Sequence, residues 1–485
     1  MLFLALVAVA VAAAIFLLRP RGEAPAVSAS RPAARFTQAP AWTPAARARA
    51  VAELRESLAP AVNGSTRHSL VVLDAQGREL FDDCAGCTVI PASVQKLIVA
   101  DVALHLLGPQ ARLRTILAAR SGIGTDGSLD GDLWLVGSGD PSLRSSDLAT
   151  AAATLQAQGL RTISGGVVVD ATSMRGPEIN PYWDPNDAGE DFQTATSAVS
   201  LDGDTAEFRV YGGSPGAPAR VVVVPNGGDV HLTGSITTGS ADDVVIAPMP
   251  ARNTFRLDGS IPPGAEEKFW LPVHGIVRYA GAALDAALRG RGIVLARGPS
   301  AGTAPLEAVV VWDHQSLPLR TLIAHMLVHS DNHYAEQLLR ILGGEAGAQS
   351  DDGGGLAAEL QYLRSRSIPA AGLRLVDGSG LAEANRVSAI VLARLLSDAE
   401  LNGDGYALYP LLPAGGRDGT LKHYDFTTAY GRVRAKTGHL SDAASLAGYL
   451  DTHRYGRITF AFLINDSPGD PDSAYVRALD RLAEF

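Results

Sequence analysis

The pattern of apolar positions changes character along the 485-residue chain. Near the start, apolar residues at helical spacing predict a helix within 46–58. Two apolar segments on either side of Ala75-Gln76-Gly77 predict a β-hairpin. The apolar run that follows Pro91 and ends at Gly108-Pro109 predicts a buried helix with a proline near its first turn. The first hundred residues therefore contribute two helices and a hairpin.

A β-type pattern replaces the helical one between about residues 130 and 305. Short runs rich in valine and aromatic residues alternate there with Gly, Asp, Pro and Ser. Helical patterns return at Leu317–Leu342 and Ser388–Leu401, and three apolar strand patterns follow. Because a hairpin lies near one end and strands lie near the other, we expect one sheet built from both ends of the chain. The middle is then an insertion.

These changes predict a signal or anchor, a linker, one discontinuous domain and an insertion of two β-rich subdomains. Their ranges are 1–21, 22–44, 45–117 with 306–485, and 118–305. Residues 2–18 are wholly apolar, which is marginal for a membrane-spanning helix and long for a signal-peptide core. We expect export to a periplasmic or other extracytoplasmic location. Both a secreted form with a cleaved signal and a form anchored to the membrane stay open.

Charge and composition narrow the partners. The net charge of -10 argues against nucleic acid, because phosphate binding requires a basic surface. Only four of the 41 basic residues are lysines, namely Lys96, Lys268, Lys422 and Lys436. Lysine can lose its proton when buried, whereas arginine does not. A lysine that persists among so many arginines therefore becomes a candidate for chemistry that requires a neutral amine.

Cys84 and Cys87 are the only cysteines and form the sequence Cys-Ala-Gly-Cys. A thioredoxin-like motif should follow a strand and open a helix, but this pair precedes Pro91 in a short polar connection. A local disulfide in an oxidising compartment is the favoured interpretation, with a redox or metal role as the alternative.

Three short motifs occur in a fixed order: Ser93-Val94-Gln95-Lys96, Ser330-Asp331-Asn332 and Lys436-Thr437-Gly438. On a helix, residues three apart share a face, so the amine of Lys96 should reach the hydroxyl of Ser93. A serine needs a neighbouring base to become a nucleophile, and lysine serves if burial and a second cation lower its pKa. Lys436 is a candidate for that cation. The motifs therefore predict nucleophilic catalysis by Ser93.

The three motifs resemble those of the penicillin-recognising serine enzymes. The long interval of 237 positions from Ser93 to Ser330, with 106 more to Lys436, is similar to that of one family. This is the D-Ala-D-Ala carboxypeptidase/endopeptidase family of class C low-molecular-mass penicillin-binding proteins. Stretches such as 139–143, 377–381 and 419–421 also resemble it, so that the resemblance covers roughly residues 45–485.

The resemblance implies an α+β fold of the serine transpeptidase/β-lactamase type, an antiparallel sheet flanked by helices with inserted β-rich domains. It implies a serine D-Ala-D-Ala carboxypeptidase, endopeptidase or both, acting on peptidoglycan peptides that end in D-Ala. β-Lactams would be covalent inhibitors. No cofactor and no metal are expected, and the apolar residues 2–18 would provide any attachment to a membrane.

The resemblance also implies a role for each motif residue. Ser93 would be acylated with Lys96 as its base, and Ser330 would relay a proton to the leaving amine. Asn332 would orient Lys96 and the substrate amide. The substrate-binding residues would be Lys436, Thr437, Gly438 and His439. Of these, Lys436 and Thr437 would hold the terminal carboxylate, and the backbone N–H of His439 would join that of Ser93 in the oxyanion hole. The family usually has Thr where His439 stands, which leaves substrate preference open.

Alternatives remain at this stage. The scaffold could belong to a β-lactamase or esterase, or to a non-catalytic protein that binds peptidoglycan or senses β-lactams. His325, His329 and His333 have a metal-like spacing, but a predicted helix break at residues 330–332 argues against a shared face. The Gly-x-Ser-x-Gly pattern at residues 212–216 is interpreted as a loop, because its proline has no N–H for an oxyanion.

Overall fold

The computed structural model describes residues 39–227, 229–249, 252–402 and 406–485. The predicted signal or anchor over 1–21, and residues 22–38 of the predicted linker, lie outside these residues. Among the helices of the described part, none combines the length and the apolar character needed to cross a membrane.

The described residues contain nine α-helices, which we number in chain order. They are α1 Pro44–Val62, α2 Lys96–Leu107, α3 Ser145–Ala157, α4 Ile276–Gly290, α5 Leu319–His329, α6 Asn332–Glu345, α7 Asp352–Ser365, α8 Ala389–Asn402 and α9 Pro471–Ala483. Short 3-10 turns include Ala92–Gln95 and Gly419–Leu421.

The strands of the described residues are numbered in the same way. They are β1 Arg67–Leu73, β2 Glu79–Asp83, β3 Thr88–Val89, β4 Arg114–Ala119, β5 Ser128–Leu129, β6 Leu133–Gly137, β7 Thr162–Ile163, β8 Val167–Asp170, β9 Thr205–Tyr211, β10 Arg220–Val224, β11 His231–Gly234, β12 Thr237–Thr238, β13 Val245–Pro248, β14 Thr254–Asp258, β15 Ser260–Ile261, β16 Glu266–Pro272, β17 Val294–Leu295, β18 Ser300–Ala301, β19 Val309–Gln315, β20 Val387–Ser388, β21 Val433–Leu440, β22 Ala443–Asp451 and β23 Arg457–Asn465.

The chain divides into two compact units. The discontinuous unit combines residues 39–111 with 318–485, and the inserted unit comprises 112–317. The boundaries predicted from the sequence fell at 117/118 and 305/306. The structure differs because the first of these boundaries falls inside β4 and the second lies just before β19, and the two strands pair with each other inside the inserted unit. Its division into two subdomains stays a prediction.

A five-stranded antiparallel sheet in the order β2-β1-β23-β22-β21 forms the centre of the discontinuous unit. One face carries Leu70, Phe460 and Phe462, which join buried residues of α1 and α9 in a single apolar cluster. On the opposite face, the hydroxyl of Tyr449 in β22 donates to the carbonyl of Leu396 in α8 at 2.9 Å. Helices therefore cover both faces, and both ends of the chain contribute strands, as the sequence pattern predicted.

The inserted unit is mixed rather than only β-rich. Its largest sheet has the order β18-β8-β6-β4-β19 and contains parallel and antiparallel pairs. The helices α3 and α4 place Leu155, Tyr279 and Leu284 in its main apolar core. The sequence interpretation missed both helices, because they are rich in alanine and lie among strong β-type runs.

Two local predictions agree with the structure. Cys84 and Cys87 form a disulfide. The Gly-x-Ser-x-Gly pattern at residues 212–216 lies in the connection between β9 and β10 and opens no helix.

Candidate active site

The segment before Ser93 is fixed to the central sheet by two polar side chains. Asn465 at the end of β23 accepts a hydrogen bond from the N–H of Ile90 at 2.9 Å, and Ser445 of β22 donates to the carbonyl of Pro91 at 2.6 Å. Ala92 then adopts a left-handed backbone with φ of 49°, which is uncommon for a residue with a Cβ. These contacts determine the position of the turn that begins at Ala92 and carries Ser93.

Ser93 lies in the 3-10 turn Ala92–Gln95, and α2 begins at Lys96. The sequence predicted one helix from about Pro91 onward, so the prediction was wrong in detail: the first turn is tighter than an α-helix. The consequence expected from the three-residue spacing is nevertheless present. The Nζ atom of Lys96 lies 2.9 Å from the Oγ atom of Ser93.

Lys96 is fully buried and has three polar neighbours. Its Nζ atom donates to Oδ1 of Asn332 at 2.6 Å and to the carbonyl of Ser379 at 2.7 Å. Both of these oxygens only accept hydrogen bonds. A neutral amine has two N–H groups and one lone pair, so the two carbonyls take both N–H groups. The lone pair is then left for the hydroxyl of Ser93.

Burial changes the proton affinity of both motif lysines. Desolvation lowers the pKa of Lys96 from 10.5 to about 8, although Asp377, Glu336 and Asp331 oppose the shift by their negative charge. The pKa of Lys436 is lowered well below its ordinary value, first by burial and then by repulsion from Lys96. Burial alone lowers the pKa of Lys96, which leaves this amine a substantial neutral fraction near neutral pH. The predicted role of Lys436 as the cation that lowers the pKa of Lys96 stays a prediction.

Strand β21 lies directly against the turn that carries Ser93. A Cβ atom added to Gly438 would lie 2.8 Å from the backbone nitrogen of Ser93 and 2.4 Å from Oγ of Ser445. Only glycine allows this approach. The neighbouring side chain of Thr437 is buried and donates to Oγ1 of Thr420 at 2.7 Å. Gly438 therefore brings the backbone of β21 next to the N–H of Ser93.

His439 follows Gly438 and is exposed. Its Nε2 atom lies 2.9 Å from Oδ2 of Asp472 at the start of α9. The carboxylate of Asp472 also accepts a hydrogen bond from the hydroxyl of Tyr424 at 2.7 Å. The imidazole of His439 is therefore directed to α9. The backbone of His439 continues β21 next to Gly438.

The second motif lies at the junction of two helices. Ser330 ends α5 with a left-handed φ of 58°, and Asp331 caps α6 by accepting from the N–H of Tyr334 at 3.2 Å. Asn332, the first residue of α6, contacts Lys96. The half-buried Ser330 lies two positions earlier. The predicted helix break at residues 330–332 is therefore present.

The structure joins some predicted residues directly and others through neighbours. Lys96 contacts Ser93 and Asn332, and the backbone at Gly438 lies against the backbone nitrogen of Ser93. The charge of Lys96 lowers the pKa of Lys436, and Nζ of Lys436 donates to the carbonyl of its neighbour Thr437 at 2.6 Å. The imidazole of His439, which was predicted among the substrate-binding residues, is instead directed to Asp472.

Several residues of the site were not assigned from the sequence. They are Glu336, Ser379, Thr420 and Ser445. The stretches 377–381 and 419–421 are similar to the family in sequence, but no catalytic or substrate-binding residue was assigned within them. Ser379 acts through its backbone carbonyl, which every residue has, so no side-chain pattern could have indicated it.

The three histidines do not share one helix face. His325 and His329 lie on α5, whereas His333 lies on α6. The Nε2 atom of His325 is 3.1 Å from Oδ2 of Asp331. In the part of the chain that the structure describes, no group of three or more His, Cys, Asp or Glu side chains is arranged to hold a metal ion.

Comparison with known proteins gives the family. Residues 49–484 match the D-Ala-D-Ala carboxypeptidase 3 (S13) family. The chain belongs to this family. This S13 chain is 32% identical to the D-alanyl-D-alanine carboxypeptidase of Actinomadura sp. strain R39, across 96% of the present chain and 93% of the relative. It is 26% identical to DacB of Haemophilus influenzae, across 82% and 86% of the two chains.

Solved structures show the same fold. The crystal structure of penicillin binding protein 4 (dacB) from Haemophilus influenzae matches 90% of this S13 chain and 99% of its own length, with a TM-score of 0.77 and 24% identity. A second structure of that protein, complexed with a β-lactam, matches with a TM-score of 0.73. The comparisons confirm the predicted family, the α+β fold class and the prediction of a serine-type D-Ala-D-Ala carboxypeptidase.

Proposed function

We propose that this chain cleaves D-Ala–D-Xaa bonds of peptidoglycan stem peptides through an acyl-enzyme on Ser93, with Lys96 as the general base. One observation carries the proposal. The two N–H groups of neutral Lys96 donate to Oδ1 of Asn332 and to the carbonyl of Ser379. The lone pair of the amine is therefore directed at Oγ of Ser93, which lies 2.9 Å away. A base within hydrogen-bond reach and with a pKa of about 8 suits proton abstraction near neutral pH.

Acylation begins when the hydroxyl proton of Ser93 passes to Nζ of Lys96 and Oγ attacks the carbonyl carbon of the D-Ala residue. The backbone N–H groups of Ser93 and His439 form the oxyanion hole, since Gly438 allows the two stretches of backbone to adjoin. The tetrahedral intermediate collapses, and the C–N bond breaks. Ser330 relays a proton from Lys96 to the departing amine. The product of this step is an ester on Ser93.

Deacylation completes the cycle. A water molecule gives a proton to Lys96 and attacks the ester carbonyl, and the oxygen of Ser93 leaves and regains its proton. The net reaction adds one water molecule across the amide bond. Carboxypeptidase activity releases a terminal D-Ala, whereas endopeptidase activity cuts a D-Ala crosslink. Both share the acyl-enzyme and differ only in the amine that leaves.

Lys436 and Thr437 bind the terminal carboxylate of the substrate in this proposal. Lys436 is buried without an acidic side chain among the causes of its pKa shift, so an incoming carboxylate would supply the opposite charge. The hydroxyl of Thr437 is already oriented by Thr420. His439 adds a backbone donor, while its imidazole stays with Asp472.

The remaining assignments follow from this chemistry. β-Lactams acylate Ser93, because their strained amide presents a carbonyl to the same nucleophile. The catalytic domain is assigned to the discontinuous unit, residues 39–111 and 318–485, with 112–317 as its insertion. The substrate lies outside the cytoplasm, so we place the enzyme in the periplasm or another extracytoplasmic compartment, with residues 2–18 as signal or membrane anchor.

Labelled penicillin tests the proposal. We expect one stable adduct per chain on Ser93 and release of D-Ala from a D-Ala-terminated peptide, with both activities absent in Ser93→Ala. Rapid turnover of penicillin would instead indicate a β-lactamase. A chain that neither labels nor releases D-Ala would be a binding or sensing protein, and the proposal would be wrong.

A further inference from the structure

A buried carboxylate lies behind the turn that contacts Lys96. Glu336 in α6 is 2% exposed, and its Oε1 atom accepts hydrogen bonds from the N–H of Ser379 at 2.7 Å and of Gly378 at 3.1 Å. The carbonyl of the same Ser379 accepts from Nζ of Lys96. One peptide segment therefore connects Glu336 to the proposed base.

We propose that Glu336 is a positioning residue for catalysis: by holding the 377–379 turn it places the carbonyl of Ser379 where it fixes the orientation of the Lys96 amine. The inference rests on the proposed function, because it assigns a task to the same base. Glu336 contacts neither substrate nor Ser93 in this arrangement. It acts only through the backbone of the turn.

The geometry of α6 supports this role. Asn332 and Glu336 are four residues apart, so they lie on the same helix face one turn from each other. Asn332 contacts Nζ of Lys96 directly, and Glu336 holds the turn that supplies the second acceptor. One helix face therefore determines both oxygens that occupy the N–H groups of the base.

The turn itself requires such support. A Cβ atom on Gly378 would lie 2.9 Å from the carbonyl of Ala335 and 3.1 Å from Cβ of Leu339, so the turn packs on the backbone of α6. On its other side, Asp377 accepts from the N–H groups of Gly380 and Ala382. The carbonyl of Ser379 belongs to the backbone, so its position is set by the turn as a whole. The turn is held by the carboxyl groups of Glu336 and Asp377.

The charges around the pair give the sign of a measurable effect. Asp377, Glu336 and Asp331 raise the pKa of Lys96 against the dominant effect of burial, and the charge of Lys96 in turn lowers the pKa of the buried Lys436. Burial and the charge of Asp377 raise the pKa of Glu336 to about 8, with Asp352 adding to the shift. Whenever Glu336 is ionised it favours the ammonium form of Lys96, so a neutral side chain in its place lowers the pKa of the base.

Glu359 provides a matched control. It is a fully buried glutamate on α7, and burial followed by repulsion from Glu336 and Asp377 raises its pKa well above the ordinary value. Its two carboxyl oxygens have no hydrogen-bond partner in the described structure, so it holds no part of the turn. Glu359→Gln therefore makes the same chemical change as Glu336→Gln without touching the support of Ser379.

The experiment measures the rate constant for acylation by a chromogenic penicillin as a function of pH, together with the number of labelled sites per chain. For Glu336→Gln we expect a rate constant lower by about 30-fold, because the amide has one neutral acceptor oxygen and its NH2 group would face the N–H of Gly378, so that the turn is displaced and with it the orientation of Lys96. Labelling should still reach one site per chain at long times, and the rising limb of the pH profile should move to lower pH. Glu359→Gln should stay within about twofold of the unsubstituted enzyme.

Glu336→Asp keeps the charge but shortens the side chain, so it should slow acylation without the shift to lower pH. This variant tests the inference if Glu336→Gln does not fold. The positioning role would be overturned if Glu336→Gln acylated at the unsubstituted rate. It would also be overturned if the loss of activity were explained by fewer labelled sites per chain while the rising limb of the pH profile stayed in place. Failure of the unsubstituted chain to label would instead contradict the proposed function.

Discussion

At the residue scale, the site depends on the difference between an amine and a guanidinium. Lys96 can act as a base because burial lowers its pKa to about 8, whereas arginine remains charged in proteins. We therefore predict that Lys96→Arg loses at least about 1000-fold in acylation, on the scale of losing a catalytic base. Mass spectrometry of penicillin adducts measures the loss, and circular dichroism checks the fold. Appreciable labelling of this variant would show that Lys96 is not the base.

The same pKa gives a prediction for pH dependence. Lys96 must be neutral to accept the proton of Ser93, and its neutral fraction increases as the pH rises through about 8. At pH 7 about one amine in ten is then neutral, against about one in three thousand at the ordinary pKa. Acylation should therefore rise about tenfold per pH unit below 8 and level off above it. A limb centred near the ordinary lysine pKa would mean that the buried amine is not the titrating group.

Sequence and structure agree at this scale where a side chain carries the chemistry. The scarcity of lysine pointed to Lys96 and Lys436, and both are buried and shifted in pKa. The contribution of Ser379 could not be predicted, because a carbonyl has no side-chain signature. Glu336 was equally hidden, since its partners are backbone N–H groups far away in sequence.

At the element scale, the close approach of β21 to the Ser93 turn is the critical contact. Gly438→Ala would place Cβ 2.8 Å from the nitrogen of Ser93 and 2.4 Å from Oγ of Ser445, so the strand must move away. We expect acylation to fall by about 100-fold or more, since the oxyanion donors and the nucleophile separate. Penicillin labelling kinetics measure the fall.

Gly86→Ala is the control for this change, because a Cβ at Gly86 meets no atom within 4 Å and its backbone is not left-handed. It should acylate at the unsubstituted rate. If Gly438→Ala also did so, the strand would not form part of the site. The sequence predicted a strand that ends near Lys436, and the family resemblance implied that Gly438 binds substrate. The contact of Gly438 with residue 93 is a product of tertiary packing and could only be inferred through that resemblance.

At the scale of the whole molecule, the hydrophobic pattern predicted one sheet from both chain ends, because alternating runs with turn signals occur at each end. It placed the domain boundaries less well. The sequences of β4 and β19 would fit a strand in either unit. Only the pairing of the two strands with each other assigns them to the insertion. The helices α3 and α4 were missed for a similar reason, since their apolar faces become evident only against the core that they cover.

The two ends of the discontinuous unit that flank the insertion lie side by side. In the discontinuous unit, the N–H of Leu319 donates to the carbonyl of Ala111 at 2.8 Å, and that of Arg320 donates to Pro109 at 3.1 Å. Each unit also has its own apolar core. A short linker from Ala111 to Pro318 therefore replaces the insertion without stretching the chain, and it reduces the entropy cost of closing the loop.

We predict that a variant with residues 112–317 replaced by about six Gly and Ser residues, a common loop length, folds and still forms the penicillin adduct on Ser93. Circular dichroism and adduct mass measure this, and the same variant with Ser93→Ala serves as the unlabelled control. The residues that orient Lys96 all lie in the retained segments, because Asn332, Glu336 and Ser379 belong to the discontinuous unit. A folded but unlabelled variant would show that the inserted unit contributes to the acylation site itself.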